Sequence, residues 1–200
     1  MKIRPILAGA AVVLGLTMVS CDTATSLAKD VNGTWAGGVD RILGDALNSD
    51  VFSTYTFTYD AASAKAGGDI VINATLAGNY NDNVVVGETP SNVSVTVAGT
   101  SSISGTWTAI DDDEIVITLN PSTLKVSLDP AAQTLTSSAV LTAETIDTLK
   151  PSLLSMIKDR MAYDLRIKYS SPIHMDDVKV KGGKTLEYEV NDIDYTLTSE

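Results

Sequence analysis

The chain has 200 residues, of which 44% are hydrophobic and 20% charged, and its formal net charge at neutral pH is −11. An acidic field of that size repels nucleic acid and anionic lipid head groups, so no nucleic-acid partner is expected. One cysteine excludes an internal disulfide, and a chain this long buries enough surface to need none; its length allows one domain, at most two.

The amino terminus carries Lys2 and Arg4 and then no charge from Ile6 to Val19. That run is short for a bilayer span and has the length and flanks of a secretory signal. It ends in Leu16, Met18, Val19, Ser20 and Cys21, the cysteine of the chain. A thiolate is a good nucleophile for alkylation, and small neighbours leave it accessible. This segment resembles the lipobox of bacterial lipoproteins. The resemblance implies that residues 1–20 are a cleaved signal peptide and that Cys21 carries the lipid. Residues 21–30 would then be the lipidated cysteine and a tether, and residues 31–200 a single folded domain. Each buried methylene of an acyl chain adds about 0.8 kcal/mol of membrane affinity, so two or three chains anchor firmly. The implied address is the cell envelope of a Gram-negative bacterium, at the outer membrane, facing the periplasm or the surface.

Beyond the tether, "VDRILGDALNSD" spaces Ile42, Leu43, Ala46 and Leu47 as on one side of a short helix. From Val51 the period changes to two. Tyr55, Phe57 and Tyr59 share one face of a strand and Thr54, Thr56 and Thr58 the other. The same alternation groups Ile70, Ile72, Ala74 and Leu76, then Val93, Val95 and Val97, then Ile115, Ile117 and Leu119, then Leu124, Val126 and Leu128. "TLTSSAVL" is a weaker strand. Residues 144–162 read as helix, with Leu153, Leu154, Ile157 and Met161 on one side and Pro151 starting a second segment or kinking a single one. Strand patterning returns at "YDLRIKY". A hairpin with Gly182 and Gly183 at its tip follows, and Asn191-Asp192 turns into "IDYTLT". About ten short strands with polar turns predict an all-β fold, an antiparallel barrel with one helical insertion; a β-sandwich is the alternative.

Gly33-Thr34-Trp35 opens the folded region, and Gly105-Thr106-Trp107 recurs in mid-chain. A Gly-x-Trp before a β meander resembles the lipocalin and wider calycin group, and "SGTWTAIDDDEIVITL" resembles the mid-barrel hairpin of lipocalin-like domains in envelope lipoproteins. The resemblance implies an up-and-down barrel with Gly33, Trp35 and Gly105 in structural roles. It also implies a small apolar or amphipathic ligand inside, for which strand alternation alone names Tyr55, Phe57, Tyr59, Ile72 and Trp107 as candidate lining. Each of these five is equally readable as plain core.

Little points to catalysis. His174 is the one histidine, and "SPIHMDD" places a serine and carboxylates beside it in sequence, which is not triad geometry. Asp111-Asp112-Asp113-Glu114 could offer oxygen ligands to calcium but lacks the spacing and glycine of an EF-hand; a solvated hairpin tip explains it equally. The expectation is a non-enzymatic protein with no cofactor and no metal. Its partners would be the membrane through Cys21 and a small ligand or, alternatively, an envelope protein docking on a packed barrel.

Overall fold

The computed structural model describes residues 23–200 apart from 44–46, 64, 87–88 and 139–140, so the expectation at Cys21 lies outside the described residues. In chain order the elements are helix α1 (23–31), β1 (Gly33–Leu43), β2 (Leu47–Tyr59), β3 (Gly67–Val86), β4 (Thr89–Ala109) and β5 (Ile115–Leu119). Then come a 3-10 turn at Pro121–Thr123, β6 (Lys125–Leu128), β7 (Leu135–Ser137), α2 (Ala143–Lys168), β8 (Ile173–Lys181), β9 (Thr185–Val190) and β10 (Ile193–Ser199).

Strands β1, β2, β3, β4, β5, β8, β9 and β10 each pair antiparallel with the next, and β10 returns to β1, which closes an up-and-down barrel and excludes the sandwich. The alternation decides which side faces in. Val51 and Phe57 on β2, Ile70 to Leu76 at every second residue on β3, and Val93, Val95, Val97, Ile103 and Trp107 on β4 are all buried. Strand β4 is longer than the ring requires. One edge pairs with β3 throughout, and the other carries β5, β6 and β7 in succession at Gly105–Ala109, Gly99–Ser102 and Val93–Val95. The β3–β4 hairpin therefore extends well past the closed ring.

Helix α2 covers the inner face of that extension. Leu153, Ile157, Met161 and Leu165 are buried and belong to the same core as Val51, Leu76, Tyr80 and Val95. The Lys150 ammonium donates to the Gln133 carbonyl at 2.8 Å, and Gln133 in turn bonds the Ala98 carbonyl at 2.6 Å, which ties the start of the helix to the β4 edge.

Three expectations are corrected. The helix expected over residues 39–50 is the β1–β2 hairpin, in register from Val39↔Phe52 to Leu43↔Asn48; the β2 arm pairs with β1 on one side and β3 on the other, and that ladder outweighs weak local helical spacing. "YDLRIKY" is the last part of α2, because Leu165 continues the four-residue steps of Ile157 and Met161, and the Tyr169 N–H closes the helix on the Leu165 carbonyl. The tether expected through residue 30 is helical from residue 23, and Ala24, Leu27, Ala28 and Val31 pack into the core. Pro151 sits within a single helix, on its exposed side. The turns agree with expectation: Gly182, Gly183, Asn191 and Asp192 all take φ near +60°, the backbone of two-residue hairpin turns.

Candidate functional site

The two ends of the barrel interior are filled differently. At the end capped by α1 the aromatic side chains act as a plug. The Phe57 and Trp107 rings meet edge to face at 5.2 Å, and both residues are 1% exposed. The Trp107 indole N–H points to the Thr58 carbonyl at 3.4 Å. Trp35 is buried too and donates to the Val31 carbonyl of α1 at 2.7 Å. Gly105 has a steric role: a Cβ there would stand 2.2 Å from the Thr118 carbonyl oxygen on β5. Gly33 sits at φ +141°, at the start of β1.

At the other end the wall opens. β1 pairs with β10 only at Trp35↔Ser199 and Ala36↔Thr198, and its register with β2 shifts between Ala36 and Gly38. Past that bulge, β1 and the β9–β10 hairpin part. The carboxyl end of α2 arrives in the gap. Together they enclose a cavity of about 630 Å³, within the range of small-molecule sites. Gly38, Ser53 and Tyr55 form one wall, Tyr188, Val190 and Tyr195 another, and Ile117, Ile173 and Met175 line the barrel side, with Lys168 and Tyr169 from α2 at the mouth.

Four tyrosines dominate this cavity. Tyr188 and Tyr195 stack at 5.2 Å with planes 10° apart, and Tyr55 stacks on Phe57 at 6.4 Å. The Tyr55 hydroxyl lies near those of Tyr188 and Ser53, and Tyr169 also lies near Ser53. Burial pushes the Tyr55, Tyr169 and Tyr188 phenols up, so they remain neutral hydrogen-bonding groups at physiological pH. The cavity thus offers apolar surface, aromatic rings and a cluster of hydroxyls, with Lys168, His174, Asp176, Glu189 and Asp192 also among its lining residues.

Of the five lining candidates, Tyr55 reaches this cavity. Phe57, Ile72 and Trp107 are buried in the packed interior, and Tyr59 packs half-buried against it. Sequence reasoning passed over Tyr188, Tyr195, Tyr169 and Lys168. The first two were findable from the alternation of "LEYEV" and "IDYTL", which puts them on the same side as Leu186 and Leu197. The other two were hidden by reading the end of α2 as strand.

The remaining chemical candidates are accounted for locally. His174 is exposed at the rim of the same cavity, beside the buried Met175, with Nδ1 3.7 Å from Oε1 of Glu114, the residue just before β5. The carboxylates of Asp111, Asp112 and Asp113 converge within 4.8 Å, but Asp111 Oδ1 already accepts the Asp113 and Glu114 N–H groups of the β4–β5 turn. A shallower depression of about 410 Å³ lies over Phe52, Thr54, Thr75 and Thr100 on the outer face and is more open than the inner cavity. No helix among the described residues is long and apolar enough to cross a membrane. Compared with known protein families, curated proteins and solved structures, the chain matches none.

Proposed function

We propose that this chain is a lipid-anchored cell-envelope protein, without enzymatic activity, whose barrel holds a small amphipathic ligand in the tyrosine-lined cavity. The observation that carries the reading is the contrast between the two ends of the interior. One is plugged by Phe57 and Trp107, and the other is an open space whose walls combine Ile117, Ile173 and Met175 with phenol hydroxyls. Barrels of about eight strands have room for one small ligand, and ligand sites are mostly apolar with a few polar groups. The anchor reading rests on the lipobox resemblance at Cys21, two residues before α1.

The test is native mass spectrometry of a soluble form beginning at Asp22, purified from bacteria without detergent. A bound small molecule released on unfolding supports the cavity reading. No added mass after exposure to fatty-acid, sterol and haem panels, with unchanged tryptophan fluorescence, sinks it. For the anchor, Cys21→Ala should move the full chain from the membrane to the soluble fraction.

A second reading has its own support. Met156, Tyr163 and Ile167 are exposed on α2 at steps of seven and four, which aligns them on one side of the helix. An envelope protein partner would dock there, and replacing Tyr163 and Ile167 by serine would abolish its capture by crosslinking in whole cells.

A further inference from the structure

The outer wall carries two cross-strand rows of side chains over β2, β3, β4 and β6, on the side opposite the buried positions. In one row Phe52 stands opposite Thr75, Thr75 opposite Thr100, and Thr100 opposite Ser127. In the next, Thr54, Asn73, Ser102 and Lys125 follow one another across the same strands. Three inter-strand spacings make each row ~14 Å long, and two residues along a strand set the rows ~7 Å apart. All of these residues line the outer depression of about 410 Å³.

The chemistry of the rows is unlike the rest of the surface. The chain has a net charge of −11, yet the rows hold one charged side chain, Lys125, at the corner diagonal to Phe52. Among the described residues, no polar side chain of the rows has a hydrogen bond or ion pair within the protein. Hydroxyls beyond the rows are engaged. Thr56 Oγ1 lies 3.3 Å from Thr34 Oγ1, Thr96 Oγ1 accepts the Thr134 N–H at 2.7 Å, and Thr123 Oγ1 donates to the Asn120 carbonyl at 2.7 Å. Of the two phenylalanines in the chain, Phe57 is packed inside, whereas Phe52 is 45% exposed at one end of its row.

An exposed aromatic ring offers a flat apolar face. Threonine and serine hydroxyls and the asparagine amide both donate and accept hydrogen bonds. A sugar ring has the complementary halves: a C–H face that lies against an aromatic ring, and hydroxyls around its edge that also donate and accept. With Lys125 at a corner, the centre of the depression is uncharged, and no carboxylate in the rows would hold a cation. A protein partner calls for a wider apolar core than one phenylalanine.

We propose that this depression binds an uncharged saccharide chain. One sugar ring lies on Phe52, and the hydroxyls of the chain bond Thr75, Thr100, Asn73 and Ser102. The site is on the outer wall and does not depend on the inner cavity holding a ligand. The soluble form beginning at Asp22 is run through native gels containing dextran, mannan, xylan or polygalacturonate. Titration calorimetry then measures binding of the trisaccharide of each retarding neutral polymer: isomaltotriose, mannotriose or xylotriose.

At least one neutral polymer should retard the protein. Phe52→Ala should weaken trisaccharide binding about fivefold or more, the loss of one aromatic contact. Thr75→Val combined with Thr100→Val keeps the branched shape, removes two hydroxyls and should weaken it about threefold or more. Lys125→Gln, and Tyr55→Phe in the inner cavity, should leave it unchanged. Phe52, Thr75 and Thr100 are exposed, and circular dichroism checks that the fold is kept. No retardation by any neutral polymer, or binding that survives both Phe52→Ala and the double variant, overturns the proposal. Strongest retardation by polygalacturonate, lost in Lys125→Gln, overturns it in favour of an anion site. A dimer in sedimentation that Phe52→Ala dissolves overturns it in favour of an interface between copies of this chain.

Discussion

Phe57→Ala tests whether the interior at the α1 end is packed. The ring is 1% exposed and meets Trp107 edge to face at 5.2 Å. Burying a phenylalanine side chain contributes about 1.5–3 kcal/mol, and the aromatic pair adds about 0.5–1.5 kcal/mol. The barrel wall around the site is fixed by ladders on both sides: Phe57 pairs with Ile70 on β3 and with Gly33 on β1. The space left by the ring would therefore relax only in part, and a residual cavity raises the loss to about 3–5 kcal/mol. For a chain of this size that is a drop in Tm of roughly 6–20 °C. Urea unfolding followed by far-UV circular dichroism and by tryptophan fluorescence measures it. The midpoint should fall with an unchanged slope, since the surface exposed on unfolding is nearly the same. A loss below about 1 kcal/mol would refute the reasoning, because Phe57 would then border space that is already empty or adaptable.

Gly105→Ala places a methyl group against the Thr118 carbonyl oxygen and the Leu119 Cα, backbone atoms that move only if β5 moves. A loss of about 3 kcal/mol or more in urea unfolding is expected, and a neutral result would show that β4 and β5 do not approach so closely. The buried phenols predict a loss of stability in alkali. Tyr55, Tyr169 and Tyr188 are raised by burial, and Tyr80 is raised to about 12 by burial and its hydrogen bond to Asp82. Unfolded phenols ionise near 10.0. The folded state then holds protons that the unfolded state releases, so this contribution is complete below that pH and is lost as pH rises through the folded values. Phenolate absorbance should show these tyrosines ionising with unfolding and not before it; full ionisation in a folded protein near pH 10 would contradict their burial.

Much of the fold was legible because a closed barrel turns each strand into a period-two pattern, and the apolar positions of "DIVINATLA", "NVSVTVA" and "EIVITL" are the buried ones. The turns were legible for a related reason. Gly182-Gly183 and Asn191-Asp192 join residue types that accept positive φ to the place where the chain must reverse. The upper half of the β3–β4 hairpin was not legible. Asn79, Asn81 and Asn83 lie on its exposed side, and asparagine in series resembles a loop until Tyr80, Asp82 and Val84 are seen to alternate with it. The strand reading of "YDLRIKY" failed because Leu165 fits both periods, and only the preceding Ile157 and Met161 decide between them.

The cavity had no local pattern to announce it, because it arises where elements part. The bulge at Gly37 and Gly38 turns β1 away from β10, and α2 ends opposite. What the alternation does reveal is a gradient along the inward face of β2. Phe57 is followed, moving towards the opening, by Tyr55 and Ser53: an aromatic plug, then a phenol, then a hydroxyl. Among the described residues no buried side-chain donor or acceptor lacks a partner, and the hydroxyls of Ser53, Tyr55, Tyr169 and Tyr188 cluster at the opening. Stability and recognition are thus separated by a few residues of one strand. Phe57→Ala should lower Tm strongly, whereas changes among the hydroxyls at the opening should alter ligand binding. Tyr55 touches both regions, stacking on Phe57 and lining the cavity beside Tyr188. Tyr55→Phe keeps the stack and removes the hydroxyl, so any change it makes in ligand preference reports on the polar network and not on the plug.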